Sequence, residues 1–460
     1  MQKIKVIVLA LLLPACAVTI DEVKTPVELP AQFSNSGSQK LTARWWQAFH
    51  DDELNRLCEQ ALTNNFSLKA AYNQLQQAQA IAKQAGAPLI PQLSTSLTDT
   101  SKITEKDTTN ILSLGLGFAT FYEVDLWGRI RNTQNAAILD AQASQEDVNA
   151  AAISLTAKIA STWFKLLEQR QQLDLLARQI AVNEKNVATI QVRYQSSQAA
   201  VADVLQQQQL LESARGNQLT VIATLAVLEN QLAVLIGESP KANPSRPPFS
   251  KGGEKAPFLK GVGGFAFMPE LPATNTPATV LQNRPDIKSA YLKIQSADQR
   301  IAAAIADRFP KLSLSANFGT NSPSLQSFFN NWLATLAGNL VMPLLDGGRR
   351  IAEVERNEAV SQQALNQYSN ALLTAVGEVE NALIQEKQQQ QLVQNLTQQL
   401  QLAQQASERI RARYLFGAMD FLRVLSADTA SQNLERTLLQ AQQQLFDYRI
   451  ALYKSLAGNV

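Results

Sequence analysis

The 460-residue sequence has one histidine, two cysteines and four methionines, and only 17 % of its residues are charged, with a net charge of +2. Each scarcity removes a class of function. A single imidazole, His50, builds no His-based metal cluster, and a Ser-His-Asp triad would need His50 itself, which lies beside a helix start with no nucleophile motif nearby. So little charge gives no electrostatic case for a nucleic-acid partner. The acidic run Asp51, Asp52, Glu53 reads as a capped helix start rather than a carboxylate site. The glycines between 252 and 264 follow no strand and lead into no helix with Lys-Ser or Lys-Thr, so they make no phosphate loop. No catalytic residue, metal or cofactor is expected, and the chain is not read as an enzyme.

The two cysteines have separate meanings. Lys3 and Lys5 precede an apolar run, Val6 to Leu13, too short to be a permanent span, so residues 1–15 read as a signal peptide. Leu13-Pro14-Ala15-Cys16 resembles the lipobox of bacterial lipoproteins. That resemblance implies a Cys16 lipidated on its thiol, and Ala17 after it implies sorting to the outer membrane. With Cys16 so used no intrachain disulfide is possible, and Cys58 becomes a small buried helix residue.

What is present is helix and repetition. Residues 16–40, with Pro26, Pro30 and Gly37 and no hydrophobic period, read as an extended tether. A helix capped by Asp51 or Asp52 is predicted to run to about Gly86. Alternating residues then place strands at about 89–100 and 110–121, each with one apolar and one small or polar face. At Trp127-Gly128 the pattern turns helical as far as Tyr194, with Ile159, Leu166, Leu173, Ile180 and Val187 recurring every seventh residue as a coiled-coil seam, and Leu176 and Ile190 at an interleaved position that Thr162, Gln169 and Asn183 dilute. Such a helix would be roughly 100 Å long. A short break returns the chain through a helix at about 201–236.

Residues 241–272 are a Pro/Gly-rich insertion or linker, and then the order begins again. A helix runs from Pro277 through Arg284-Pro285 to about Arg308, strands follow at about 311–320 and 332–343, and Pro343 and Gly347-Gly348 mark the second strand-to-helix junction. A long helix reaches Tyr414, breaks near Phe416-Gly417-Ala418, and a last helix begins at about Asp420. Residues 41–240 and 273–460 are therefore two copies of one helix, strand, strand, long helix, helix unit. The fold class is mainly α with a small β part.

Strands of about ten residues with one apolar face suit an outer membrane, yet four cannot close a barrel and an open edge does not survive in lipid. Three copies would supply twelve strands, with the Gly, Ser, Asn and Thr face lining water and the Leu, Phe and Trp face meeting outer-membrane lipid. A coiled-coil structural surface lipoprotein, the other reading, has no use for such strands.

Several motifs also resemble a known family. Tyr122-Glu123-Val124-Asp125-Leu126-Trp127-Gly128-Arg129, Arg284-Pro285-Asp286-Ile287, Phe309-Pro310, Pro343-Leu344-Leu345-Asp346-Gly347-Gly348-Arg349 and Glu378-Val379-Glu380-Asn381-Ala382-Leu383 are similar to motifs of the outer membrane factor family, the TolC- and OprM-like efflux lipoproteins. The resemblance implies a homotrimer with a 12-strand β-barrel and a long periplasmic α-helical barrel. It also implies a periplasmic adaptor (membrane fusion protein) and an inner-membrane pump of the RND or ABC type as partners. Efflux of small molecules is the favoured role, and type I protein secretion the alternative. By the same resemblance the gate and adaptor contacts fall at the two helical turns, where Tyr194, Asp203, Tyr414, Gly417, Asp420 and Arg423 are the candidates. Arg423 and Ser426 stand where family members often carry gate carboxylates, and Ser197 stands where they commonly have Gly.

Overall fold

A computed structural model describes residues 27–38, 42–104, 107–240, 268–274, 276–324 and 326–458. The signal peptide, Cys16 and most of the Pro/Gly-rich insertion lie outside the described residues. The chain divides into two compact units, one formed by residues 78–141 and 292–367, the other by 27–77, 142–291 and 368–460, apart from the first 26 residues.

The first unit holds an antiparallel sheet of four strands in the order β1-β2-β3-β4. They are β1 (Gln92–Thr104), β2 (Asp107–Val124), β3 (Lys311–Ser322) and β4 (Trp332–Val341). Both strands of the first pair run longer than alternation suggests, β1 past 100 to Thr104 and β2 from 107 to 124, whereas β4 stops at Val341 before Pro343. Register makes the apolar face continuous. Leu97 opposes Leu116, Phe118 opposes Phe318, Leu312 opposes Leu340 and Ala316 opposes Leu336. Because opposed residues point the same way, one side of the sheet gathers these side chains while Ser96, Gly117, Gly319 and Asn317 gather on the other. Every residue of β4 is exposed.

Eight helices complete the described chain: α1 (Asp52–Asn64), α2 (Phe66–Gly86), α3 (Arg129–Gln195), α4 (Val201–Leu235), α5 (Pro277–Asn283), α6 (Pro285–Ala306), α7 (Arg349–Leu415) and α8 (Phe421–Leu456). Two helices expected to be continuous are broken, at equivalent places in the two repeats. Asn65 (ψ 125°) separates α1 from α2, its Oδ1 accepting from Leu68 N at 2.9 Å while its Nδ2 donates to Leu235 O at 2.9 Å. Arg284 (ψ 128°) separates α5 from α6, because the residue before Pro285 is driven out of helical space.

The second unit is packed about an aromatic core at the start of the first repeat. Trp45, Trp46 and Phe49 are buried in a short 3-10 turn, where Phe49 meets Phe164 at 5.0 Å and Trp45 stacks on Tyr453 at 5.7 Å. Asp51 caps α1 through Leu54 N and also accepts from Trp163 Nε1 at 2.8 Å, which ties the helix start to this core. Cys58 is buried there, and burial pushes its thiol pKa up. The described part of the tether is docked rather than free: Ser34 N donates to Glu380, Gly37 N donates to Pro272 O, and Phe33 packs beside Val379 and Leu383.

The seam of α3 is more polar than the heptad predicts. Leu176 and Ile190 are buried, but so are Gln172, Gln179 and Asn183, while Tyr194 is largely exposed. Gln172 donates to Arg436 O and Gln179 to Glu435, both at 2.9 Å, so the buried amides join α3 to α8 by directional bonds.

Candidate functional site

Two places in the chain combine unusual backbone with polar chemistry. The first is the end of the sheet where strands become helices. Gly128, Gly347 and Gly348 have φ of +76°, +66° and +83°, a region that L side chains avoid. Each junction is closed by a carboxylate: Asp125 accepts from Ile130 N and Arg131 N, and Asp346 accepts from Gly348 N. The two aspartates are equivalent in the two repeats. Trp127 stacks on Phe309 at 4.9 Å and donates its indole N–H to Pro310 O at 2.8 Å. Arg350 reaches both Asp307 and Asp346 at 2.9 Å, and Lys311 also pairs with Asp307. Burial works against ionisation of Asp307, but these cations hold its carboxyl below the usual range.

The second place is the pair of helical turns in the other unit, and the turns repeat one another bond for bond. Ser197 N donates to Tyr194 O and Gln198 N to Arg193 O; Gly417 N donates to Tyr414 O and Ala418 N to Arg413 O. Each is a Schellman-type ending with one residue in the left-handed region, Ser197 at φ +58° and Gly417 at +74°. Ile190, Val204, Phe421 and Val424 form a shared buried cluster under both turns.

The candidate residues of these turns divide. Asp203 accepts from Ala200 N at 3.1 Å and Asp420 from Arg423 N at 3.0 Å, so both carboxylates cap helices. Asp420 also lies 3.8 Å from the Arg423 guanidinium. Tyr194 is largely exposed, whereas Tyr414 packs on Phe421 at 5.4 Å under the Arg193 guanidinium, 4.6 Å from its ring. The Tyr414 hydroxyl and Arg193 Nε are buried with no hydrogen-bond partner among the described residues. Burial pushes the Tyr414 pKa up, opposed by Arg193 and reinforced by the Asp203 charge. Arg193 was not among the sequence candidates. Its signal is the dipeptide Arg-Tyr, repeated at 193–194 and 413–414.

A third feature near these turns also escapes sequence reasoning. Asp428 of α8 is buried and accepts from Ser407 and from Arg411, both on α7. Among the described residues no group of three or more His, Cys, Asp or Glu is placed to hold a metal ion.

Four bilayer-length strands with a continuous apolar face, in a chain with two pairs of long helices joined by matching turns, define an outer-membrane channel subunit. The chain belongs to the outer membrane efflux protein family, whose model matches residues 57–238 and 276–458. It is 29 % identical to the pyoverdine export outer membrane protein OpmQ of Pseudomonas aeruginosa, over 100 % of this chain and 97 % of that one. It is 27 % identical to the toluene efflux pump outer membrane protein TtgI of Pseudomonas putida, covering 97 % and 96 % of the two chains. The fold matches the crystal structure of CusC with a TM-score of 0.83 at 25 % identity, over 95 % of this chain and 98 % of CusC. CusC of Escherichia coli is a cation efflux system protein. The protein is thus an outer-membrane component of an efflux system, and the two matched segments fall one in each repeat.

Proposed function

We propose that the protein works as one third of a passive, gated conduit that carries small molecules out through the outer membrane. The observation that carries this reading is the sheet itself. Its outer strands β1 and β4 have no further strand partner among the described residues, and backbone groups left unpaired in lipid cost several kcal/mol each. Three copies placed edge to edge satisfy both edges and give twelve strands. The exposed apolar residues of α4, among them Leu205, Leu219 and Ile222, need the same neighbours.

In this reading Cys16 carries the lipid anchor, residues 41–240 and 273–460 are the two repeats, and the insertion lies between them. The junction residues Trp127, Gly128, Pro343, Gly347 and Gly348 turn membrane wall into periplasmic helix. The gate and the contact with a periplasmic adaptor, itself coupled to an inner-membrane pump, lie at the turns holding Tyr194, Asp203, Tyr414, Gly417, Asp420 and Arg423. Relatives of similar identity are named for pyoverdine, toluene and cations, which fits a pipe that does not choose its cargo and performs no catalysis.

The mature protein purified in detergent is expected to have three times the mass of one chain and to conduct ions in planar bilayers. A monomer that conducts at no pH or voltage would overturn the proposal. The gate assignment is tested separately: Tyr414→Phe combined with Arg193→Gln should raise resting conductance, and an unchanged value would move the gate elsewhere.

A further inference from the structure

The helix-bearing end of the sheet displays side chains that packing within the chain leaves uncovered. Leu344 and Leu345 are 82 % and 98 % exposed, the barest pair of large apolar residues described in succession. Beside them in the chain Met342 is also exposed, and Leu126, Trp127 and Phe309 remain partly bare even after the two rings stack. Basic residues follow directly. Arg308 precedes Phe309, and Arg349 follows Leu344-Leu345 by four positions. Both are exposed, and neither side chain has a hydrogen bond or close ion pair among the described residues; Arg349 feels the Glu353 carboxylate one turn on, which Arg356 already holds at 2.6 Å. Their neighbours differ sharply: Arg129, Lys311 and Arg350 are all committed to Glu123, Asp307 or Asp346.

The level of this band can be read from the sheet. A second stacked pair, Phe318 on Trp332 at 4.7 Å, lies toward the opposite strand ends. Phe309 lies in the turn two residues before β3, and the seven steps from Lys311 to Phe318 cover about 23 Å along the strand and roughly 18 Å when tilted, within the apolar band of an outer-membrane barrel. Paired aromatics at both rims mark the two lipid–water interfaces. The band therefore sits where the periplasmic-side leaflet meets water, continuous with the lipid-facing side of the sheet.

We infer that this band is a binding site for anionic phospholipid of the inner leaflet of the outer membrane. Leu344 and Leu345 enter the acyl boundary, and Arg308 and Arg349, neither of them held in a hydrogen bond or close ion pair among the described residues, take the phosphodiester and the headgroup charge. Arginine suits this because its guanidinium donates two parallel hydrogen bonds to one phosphate. Asp346 does not cancel the site, since its carboxylate is already held by Arg350 and by Gly348 N.

The test uses the full mature protein in detergent, titrated with phosphatidylglycerol or phosphatidylcholine of identical acyl chains and read by native mass spectrometry. Phosphatidylglycerol should be retained roughly twenty-five-fold better, each of the two arginines near a lipid surface being worth about fivefold for an anionic headgroup. The pair R308Q and R349Q should abolish that preference, and R308K with R349K should keep most of it. Replacing Leu344 and Leu345 by Ser should weaken both lipids alike. Equal retention of the two lipids by the unaltered protein overturns the inference. So does a preference that survives the glutamine pair, or one lost equally in the lysine pair.

Discussion

Ser197 holds a backbone conformation, φ +58°, that costs an L residue roughly 1–2 kcal/mol and that Gly417 adopts freely in the matching turn. The asymmetry predicts opposite effects. Ser197→Gly should stabilise the protein by about 0.5–1 kcal/mol, and Gly417→Ala should destabilise it by about 1–2 kcal/mol, both read from thermal unfolding in detergent. The Gly417 cost is conformational only, because a Cβ there meets nothing within 4 Å. Gly237 is a useful contrast: at φ +79° its Cβ would also lie 2.6 Å from Asn64 O, so Gly237→Ala should cost more than Gly417→Ala. Buried charge gives a larger effect. Arg449 and Glu386 are both almost fully buried, and Arg449 also donates to the carbonyls of Pro269 and Glu270. Arg449→Met strands a buried carboxylate and two carbonyls, with an expected loss of about 3–5 kcal/mol, and the double replacement with Glu386→Met should recover part of it. A double variant no better than the single one would show that the carbonyls, not the charge, set the cost.

At the scale of elements, α3 depends on buried polar groups that also titrate. Glu168 is buried beside Gln172 and Gln169, and burial raises its pKa above the ordinary carboxylate value. The folded state therefore holds this proton more tightly than the unfolded chain does. Stability falls as pH rises from the unfolded value, about 4.3, through the folded one, and then levels off. Glu168→Gln removes that loss, so the variant should gain on the parent at pH 8 relative to pH 4; an equal offset at both would assign the effect to packing. The same helix shows what the sequence makes legible and what it hides. The helix ends at 195 and 201 follow from a short break in the hydrophobic period, and the strand pairs from alternation bounded by Gly and Pro. Seam choice does so only in part: Asn183 stands at the interleaved seam position and is buried against Gln432, whereas Gln172 and Gln179 lie outside the heptad and are buried because α8 offers them Arg436 O and Glu435. Their partners lie more than two hundred residues away. Asn65 is equally opaque, since its break needs Leu235 O, whereas the break before Pro285 is a local effect that the sequence does display. At the turns, Tyr194 and Tyr414 look alike in sequence, and only three-dimensional packing assigns Arg193 to one of them.

For the whole molecule the decisive asymmetry is between the two faces of the sheet. One face carries Leu97, Leu116, Ala316 and Leu336 in register, the other Ser96, Gly117, Asn317 and Thr335. If the first meets lipid and the second water, equal substitutions on adjacent positions must fail differently. Leu336 stands near the middle of β4, where an arginine facing hydrocarbon costs about 2–4 kcal/mol. Leu336→Arg should therefore lower the amount of folded protein recovered in outer-membrane fractions. Asn317→Arg places the same charge on the opposite face, where it stays hydrated, so folding and membrane yield should hold. Its effect should appear in planar bilayers as a shift of ion selectivity toward anions, multiplied by every copy in the assembly. If instead Asn317→Arg abolished membrane insertion and Leu336→Arg altered only selectivity, the two faces would be exchanged, and with them the assignment of wall and lumen.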